Sequence, residues 1–218
     1  MVQPNRIAVF GASGATGQAI GEAALRRGLE VRGLYRPGSE PREPAKGLEV
    51  VTGRLASTDD VRRTLTGTEA ATCAFGPRIR RDGPAPAPFC AAATANVIAG
   101  MRTLEIERLV VQTGAMAAGD DANLGPSYRR MRARYRERFH DLAVDRDAQE
   151  RVVQESGLDW LLVRPPRIVP GGPTGRLKVA ESARIGLLAK ARVGDLGELH
   201  CDELTRPRFH RQAVYVLG

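Results

Sequence analysis

The stretch Ile7-Ala8-Val9-Phe10-Gly11-Ala12-Ser13-Gly14-Ala15-Thr16-Gly17 runs an apolar segment into three glycines spaced three apart. That pattern commits the N-terminal region to a strand, a tight turn and a helix packed closely against the strand. Gly11 permits the turn, Gly14 lets the backbone approach a pyrophosphate, and Gly17 lets helix and strand come together. The helix N-terminus then faces the phosphates with unpaired N–H groups and the positive end of its dipole, and Ser13 and Thr16 can add hydroxyl donors. The motif therefore reads as a dinucleotide-binding turn.

The rest of the chain repeats the alternation that this start implies. A strand at 6–10 and a helix at about 14–27, stopped near Gly28, lead to a second strand, Val31 to Tyr35, ended by Pro37-Gly38. Leu48 to Thr52 reads as a third strand. Asp59 to Leu65 follows as a short helix capped by Ser57 or Thr58, then Ala70 to Phe75 as a fourth strand closed by Gly76-Pro77. A proline-rich loop at 83–88 precedes an alanine-rich helix to about 103 and a fifth strand, Leu109 to Gln112. One long polar helical region spans about 127–156, with Gly157 capping it. Trp160 to Val163 gives a sixth strand before Arg164-Pro165-Pro166, and Val214 to Leu217 adds an edge strand. Strands alternating with helices predict an α/β fold with a mainly parallel sheet and helices on both faces. In such a sheet ligands bind beyond the C-terminal ends of the strands. The residues to interrogate are 11–17, 36, 75–78, 113–116 and 164–168.

Composition excludes more than it selects. The 218 residues suit one domain spanning 1–218. No apolar run reaches the roughly 18 residues of a membrane span, and the N-terminus lacks the order of a signal peptide, so a soluble, cytoplasmic protein is expected. Cys73, Cys90 and Cys201 lack CxxC spacing, which points to buried thiols rather than a disulfide framework or a metal site. With 33 basic against 25 acidic side chains the net charge is +8, an affinity for anions that does not choose among them. The densest basic run has arginines at 129, 130, 132, 134, 136 and 138. Tyr128, Met131, Tyr135, Phe139 and Leu142 recur through it at spacings of three and four, so it reads as an amphipathic helix docked on a core rather than a nucleic-acid-binding arm.

The end of the second strand bears on which dinucleotide is bound. A site for NAD places Asp or Glu about 20 residues beyond the glycines to bind the ribose 2′-hydroxyl, whereas here the strand ends at Tyr35-Arg36. The planar fork and charge of Arg36 suit a 2′-phosphate, which predicts NADP(H) over NAD(H).

Together these residues resemble the atypical short-chain dehydrogenase/reductases, in particular the NAD(P)-binding group that includes biliverdin reductase B (flavin reductase) and NmrA-like proteins. The resemblance spans most of the chain. It is carried by the glycine motif, Arg36, Phe75-Gly76, Glu155-Ser156-Gly157-Leu158-Asp159-Trp160, Arg164-Pro165-Pro166 and Arg192-Val193-Gly194-Asp195-Leu196. It implies a Rossmann-like, doubly wound domain in which Gly11, Ser13, Gly14, Ala15 and Thr16 hold pyrophosphate and Arg36 holds the 2′-phosphate. It further implies that Leu55 and Phe75-Gly76 flank the adenine, and that Thr113-Gly114 and Pro165-Pro166-Arg167-Ile168 line the nicotinamide. Arg54 stands where relatives carry an Asp that contacts adenine, so a basic residue is expected to assist the adenosine phosphate instead.

The chain departs from the family in its proton chemistry. Ordinary members pair a Tyr with a Lys four residues later, the lysine lowering the phenol's pKa. Here Tyr128 is followed at that offset by Arg132 and Tyr135 by Phe139, Gly114 replaces a serine, and Arg146 stands where many NmrA-like relatives have Lys. Thr113, Tyr128 and Arg146 are the candidate catalytic residues. His140, His200 and His210 have no positioned partner visible in sequence, and Ser127 sits in no nucleophile elbow.

The function expected is an NADPH-dependent reductase acting on a conjugated small molecule such as a flavin, quinone, tetrapyrrole or polycyclic metabolite, which needs little acid catalysis. Arg78, Arg80 and Arg81 could attract acidic substituents on it. A non-enzymatic NADP sensor and an isomerase or cyclase on the same fold are the alternatives. Substrate specificity is expected in loops 76–90, 115–128 and 167–190.

Overall fold

A computed structural model describes all residues except 1–3, 78–86, 117, 120, 123 and 182–184. Arg78, Arg80, Arg81 and the start of the proline-rich loop lie outside the described residues. The chain runs β1 (Arg6–Phe10), α1 (Ala15–Arg26), β2 (Glu30–Tyr35), β3 (Leu48–Thr52), α2 (Thr58–Leu65), β4 (Ala70–Cys73), α3 (Cys90–Thr103) and β5 (Arg108–Gln112). It continues through α4 (Pro126–Arg138), α5 (His140–Gln154), β6 (Asp159–Arg164), β7 (Ile168–Val169), β8 (Lys178–Ala180), β9 (Ala191–Arg192), α6 (Val193–Thr205) and β10 (Gln212–Leu217).

One sheet in the order β3-β2-β1-β4-β5-β6-β10-β8 is parallel throughout except where β8 pairs antiparallel with β10; β7 and β9 form a separate parallel pair. This is the doubly wound, Rossmann-like arrangement. Successive residues of β1 show why the strand is apolar on both sides. Ile7 and Val9 enter the core beneath α1 and α6 with Ile20 and Leu196, while Ala8 and Phe10 enter the opposite core with Val61, Val97 and Val153. A sheet covered on both faces needs such uninterrupted apolar strands. Each fully buried large side chain contributes roughly 1.5–3 kcal/mol.

Three sequence expectations are corrected. The region 127–156 is two helices, broken at Phe139 (φ −122°, ψ 47°) without a glycine or proline to signal it. Val214 to Leu217 belongs to a strand that is internal: β10 has β6 on one side and β8 on the other. Its buried Val214, Tyr215 and Val216 fit that position, and the three-residue β8 covers the edge it would otherwise leave. The fourth strand stops at Cys73, and Ala74 and Phe75 belong to the turn that follows. Elsewhere local signals held. Ser57 caps α2 by accepting the Asp60 N–H, and Gly157 takes the positive φ (74°) that ends the α5 region.

The start of α3 is held from a distance. Asp145 on α5 accepts the backbone N–H groups of Phe89, Cys90 and Ala91 at 3.0, 2.7 and 3.0 Å, supplying a carboxylate to orphan donors at the positive end of the helix. All three cysteines are free and buried. Among the described residues no helix is long and apolar enough to cross a membrane.

Candidate functional site: strand ends and an adjoining cleft

The glycine turn is built as its spacing requires. Gly11 has φ +87°, and a Cβ there would come within 2.8 Å of the Ala74 carbonyl oxygen at the end of β4. A Cβ on Gly17 would overlap the Gly11 carbonyl, so helix and turn can close only without a side chain. The Gly14 N–H donates to the Gly11 oxygen at 2.9 Å, and Gly14 caps α1 in an extended conformation with no side-chain cap bond and no acidic residue in the first turn. The remaining N–H groups of that turn are thereby left for an anion. Ser13 is half-buried at the rim, Ala15 is exposed, and Thr16 is buried.

Beyond the neighbouring strands, Arg36 is exposed immediately after β2, and its carbonyl accepts the Ser39 N–H (2.9 Å) and hydroxyl (2.8 Å), which tighten the turn that presents it. Arg54, past β3, is exposed and donates its backbone N–H to Asp60 at 2.9 Å. The Arg63 bond, followed by the Arg54 N–H, holds the Asp60 carboxyl below its ordinary pKa. Leu55 is half-buried against the α2–α3 core, and its carbonyl accepts the Asn96 amide at 2.8 Å. Phe75 is half-buried and Gly76 exposed at the end of β4.

A cleft of about 180 Å³ opens at the ends of β5 and β6. It brings together Thr113, Gly114, Arg146, Pro165, Pro166 and Ile168, which the sequence reading had named. Pro77 and Met116, from the strand-end stretches 75–78 and 113–116, also line it, together with Tyr135 and Leu142, which lie outside every stretch expected at the site. Arg167 and Tyr128 are not among its lining residues. The Arg167 side chain is exposed, and Tyr128 lies buried, its hydroxyl donating to the Pro166 carbonyl at 3.2 Å. Burial pushes the Tyr128 phenol up to about 12.

Two of the lining side chains are already committed. The Thr113 hydroxyl donates to Glu150 Oε1 at 2.6 Å, and the same carboxylate receives Arg164 Nε at 3.0 Å and Nη2 at 2.6 Å. Glu150 and Arg164 are both buried, so the pair exchanges solvation for a two-pronged, charge-assisted geometry. Arg146 donates to Gln149 Oε1 at 2.6 Å and to the Phe75 carbonyl at 3.2 Å, which ties α5 to the end of β4. Leu142 lies one helical turn before Arg146, so the spacing that would set a phenol beside this cation is occupied by an aliphatic side chain. In sequence Tyr135 is a member of the apolar stripe and a tyrosine without a cation four residues on; its place in the cleft depends on the break at Phe139.

The histidines have separate surroundings. His200 is fully buried on α6, its Nδ1 2.8 Å from the Thr72 hydroxyl, and burial pulls it down to about 3. His210 is exposed and paired with Asp159 at 2.9 Å, and His140 is exposed next to Asp141.

Comparison with known proteins places these features in a wider group. The NAD(P)H-binding family pattern matches residues 11–197. An uncharacterized chloroplastic protein of Arabidopsis thaliana is 25% identical over 183 residues, covering 81% of this chain, which spans 64% of that relative's length. Among solved structures, ChuY, an anaerobillin reductase from Escherichia coli O157:H7, superposes with a TM-score of 0.77 at 19% identity, covering 97% of this chain and 96% of its own. A short-chain dehydrogenase/reductase of the wide type from Veillonella parvula, solved in complex with NADP, gives a TM-score of 0.76 at 13% identity, covering 99% and 95%. At these identities the two structures share the fold.

Proposed function

This chain belongs to the NAD(P)H-binding family, and on that premise we propose that it is an NADPH-dependent reductase delivering hydride to a flat, conjugated small molecule such as a flavin, quinone, tetrapyrrole or polycyclic metabolite. The observation that carries the reading is that the glycine turn, the exposed Arg36 and the cleft at Thr113–Gly114 and Pro165–Pro166 all follow the C-terminal ends of parallel strands in one sheet. Gly11, Ser13, Gly14, Ala15 and Thr16 hold the pyrophosphate at the open end of α1, with Gly17 allowing the close approach. Arg36 takes the 2′-phosphate and selects NADP(H), with Arg54 adding charge nearby. Leu55, Phe75 and Gly76 flank the adenine. Thr113, Gly114, Pro165, Pro166 and Ile168 would hold the nicotinamide, which when bound would supply a hydride.

The walls are mostly apolar and planar-tolerant, with Arg146 as the charged group that an acidic acceptor would meet. Thr113, engaged by Glu150, fixes the end of β5, and Tyr128 fixes the Pro166 carbonyl; both act as positioning residues. The commitment of these two hydroxyls is also what favours a second reading, a cofactor-responsive regulator that transfers no hydride. Consumption of NADPH in the presence of riboflavin, a naphthoquinone or a linear tetrapyrrole decides between them. Turnover with one or more supports the reductase. NADPH binding without turnover on any of them supports the regulator.

A further inference from the structure

We propose that Tyr135 is the proton donor of the cleft, passing its phenolic proton to the acceptor as hydride arrives, with Arg146 stabilising the phenolate left behind. The inference rests on the reductase reading and goes beyond it by assigning the acid. The Thr113 hydroxyl donates a hydrogen bond to Glu150, and the Tyr128 hydroxyl donates one to the Pro166 carbonyl from behind the wall. Tyr135 lines the cleft beside Arg146, is half-buried, and its hydroxyl has no hydrogen-bond partner among the described residues.

The helix break explains how a tyrosine on α4 shares a cavity with an arginine on α5. At Phe139 the chain changes direction, and the Tyr135 ring packs on the Phe139 ring with centroids 5.1 Å apart. A phenol and a cation are thus joined across two helices, where the single-helix spacing would have put Leu142. Burial pushes the Tyr135 phenol up, and the Arg146 charge works against that rise. An arginine cannot itself serve as the acid, because it does not give up its proton in a protein.

The step balances simply. Hydride adds to one atom of the conjugated acceptor with its electron pair. The O–H bond of Tyr135 breaks, and its proton bonds to the far heteroatom, where charge has accumulated. The phenolate then recovers a proton from water, which reaches the half-exposed ring. The net change is one reduced cofactor, one acceptor and one proton giving oxidised cofactor and dihydro-acceptor.

The test uses the full-length protein, with a naphthoquinone as acceptor. Tyr135→Phe is expected to slow single-turnover hydride transfer roughly 10²-fold, the usual scale of general-acid catalysis, and to abolish the solvent deuterium isotope effect, with NADPH affinity unchanged. A wild-type rate and isotope effect in this variant overturn the proposal. If that variant does not fold, fluorotyrosine at position 135 replaces it. Its fluorine resonance is expected to shift when naphthoquinone is added to the NADP-bound protein, and its more acidic phenol to move the alkaline limb of the rate profile to lower pH. An unmoved resonance and limb overturn the assignment. A wild-type protein that binds NADPH yet reduces none of the three acceptors overturns the reductase reading itself, before any variant is made.

Discussion

Glu150 and Arg164 form a buried ion pair, with contacts of 3.0 and 2.6 Å, that also receives the Thr113 hydroxyl and so links the cleft wall to the middle of the fold. Removing one partner leaves the other charged and desolvated. Glu150→Ala is therefore expected to lower folding stability by about 3–5 kcal/mol. Replacing both residues with leucine should cost less than the single change, and urea denaturation of the two variants checks the order.

Under the proposed function, Arg36 sets the cofactor preference. Hydrogen bonds to charged groups contribute about 1.5–3 kcal/mol, so Arg36→Ala should weaken NADPH binding roughly ten- to hundredfold while leaving NADH affinity nearly unchanged. Calorimetric titration with each dinucleotide reads both quantities. Equal losses for the two would remove the 2′-phosphate assignment.

At Gly17 the expected effect is steric. A methyl group there overlaps the Gly11 carbonyl, so the first turn of α1 must move away from the strand. Gly17→Ala should destabilise the protein by about 1–3 kcal/mol, the usual cost of overpacking, and reduce dinucleotide affinity as well. Thermal unfolding with and without NADPH separates the two losses.

His200 makes stability depend on pH. Its folded value of about 3 lies below the ordinary 6.5 because burial disfavours the charged ring. Above 6.5 both folded and unfolded states hold neutral imidazole, and the residue contributes nothing. Between 6.5 and about 3 the unfolded chain takes up a proton that the folded chain refuses, so stability falls as pH falls, by about 1.4 kcal/mol per unit from this group. Denaturation midpoints between pH 6.5 and 5, above the range of ordinary carboxylates, are expected to show this slope in the wild type and to lose it in His200→Gln.

The parts of the fold that were legible in sequence are those specified by local chemistry. Gly11 and Gly17 answer to backbone sterics within a few residues, Ser57 to the orphan donors of its own helix, and β1 to an apolar run that only a doubly covered strand requires. What stayed hidden depends on partners far along the chain. The break at Phe139 interrupts an apolar stripe that continues on both sides of it, and β8 exists as a strand because β10 lies beside it. Asp145 acts on donors more than fifty positions earlier, a relation that no spacing rule reports. In the cleft the wall residues followed from strand order, whereas Tyr135 required the angle between two helices.

Adjacent residues on α5 hold the two ends of the connection between β4 and α3: Arg146 binds the Phe75 carbonyl where the chain leaves the sheet, and Asp145 binds the Phe89, Cys90 and Ala91 amides where it returns. Phe75 and Phe89 stack across the same opening at 6.0 Å. Two neighbouring positions of one helix thus fix the points where the chain leaves the sheet and re-enters a helix. Anchored at both ends in this way, the connection can change in length or composition between natural variants while β4 and α3 keep their places.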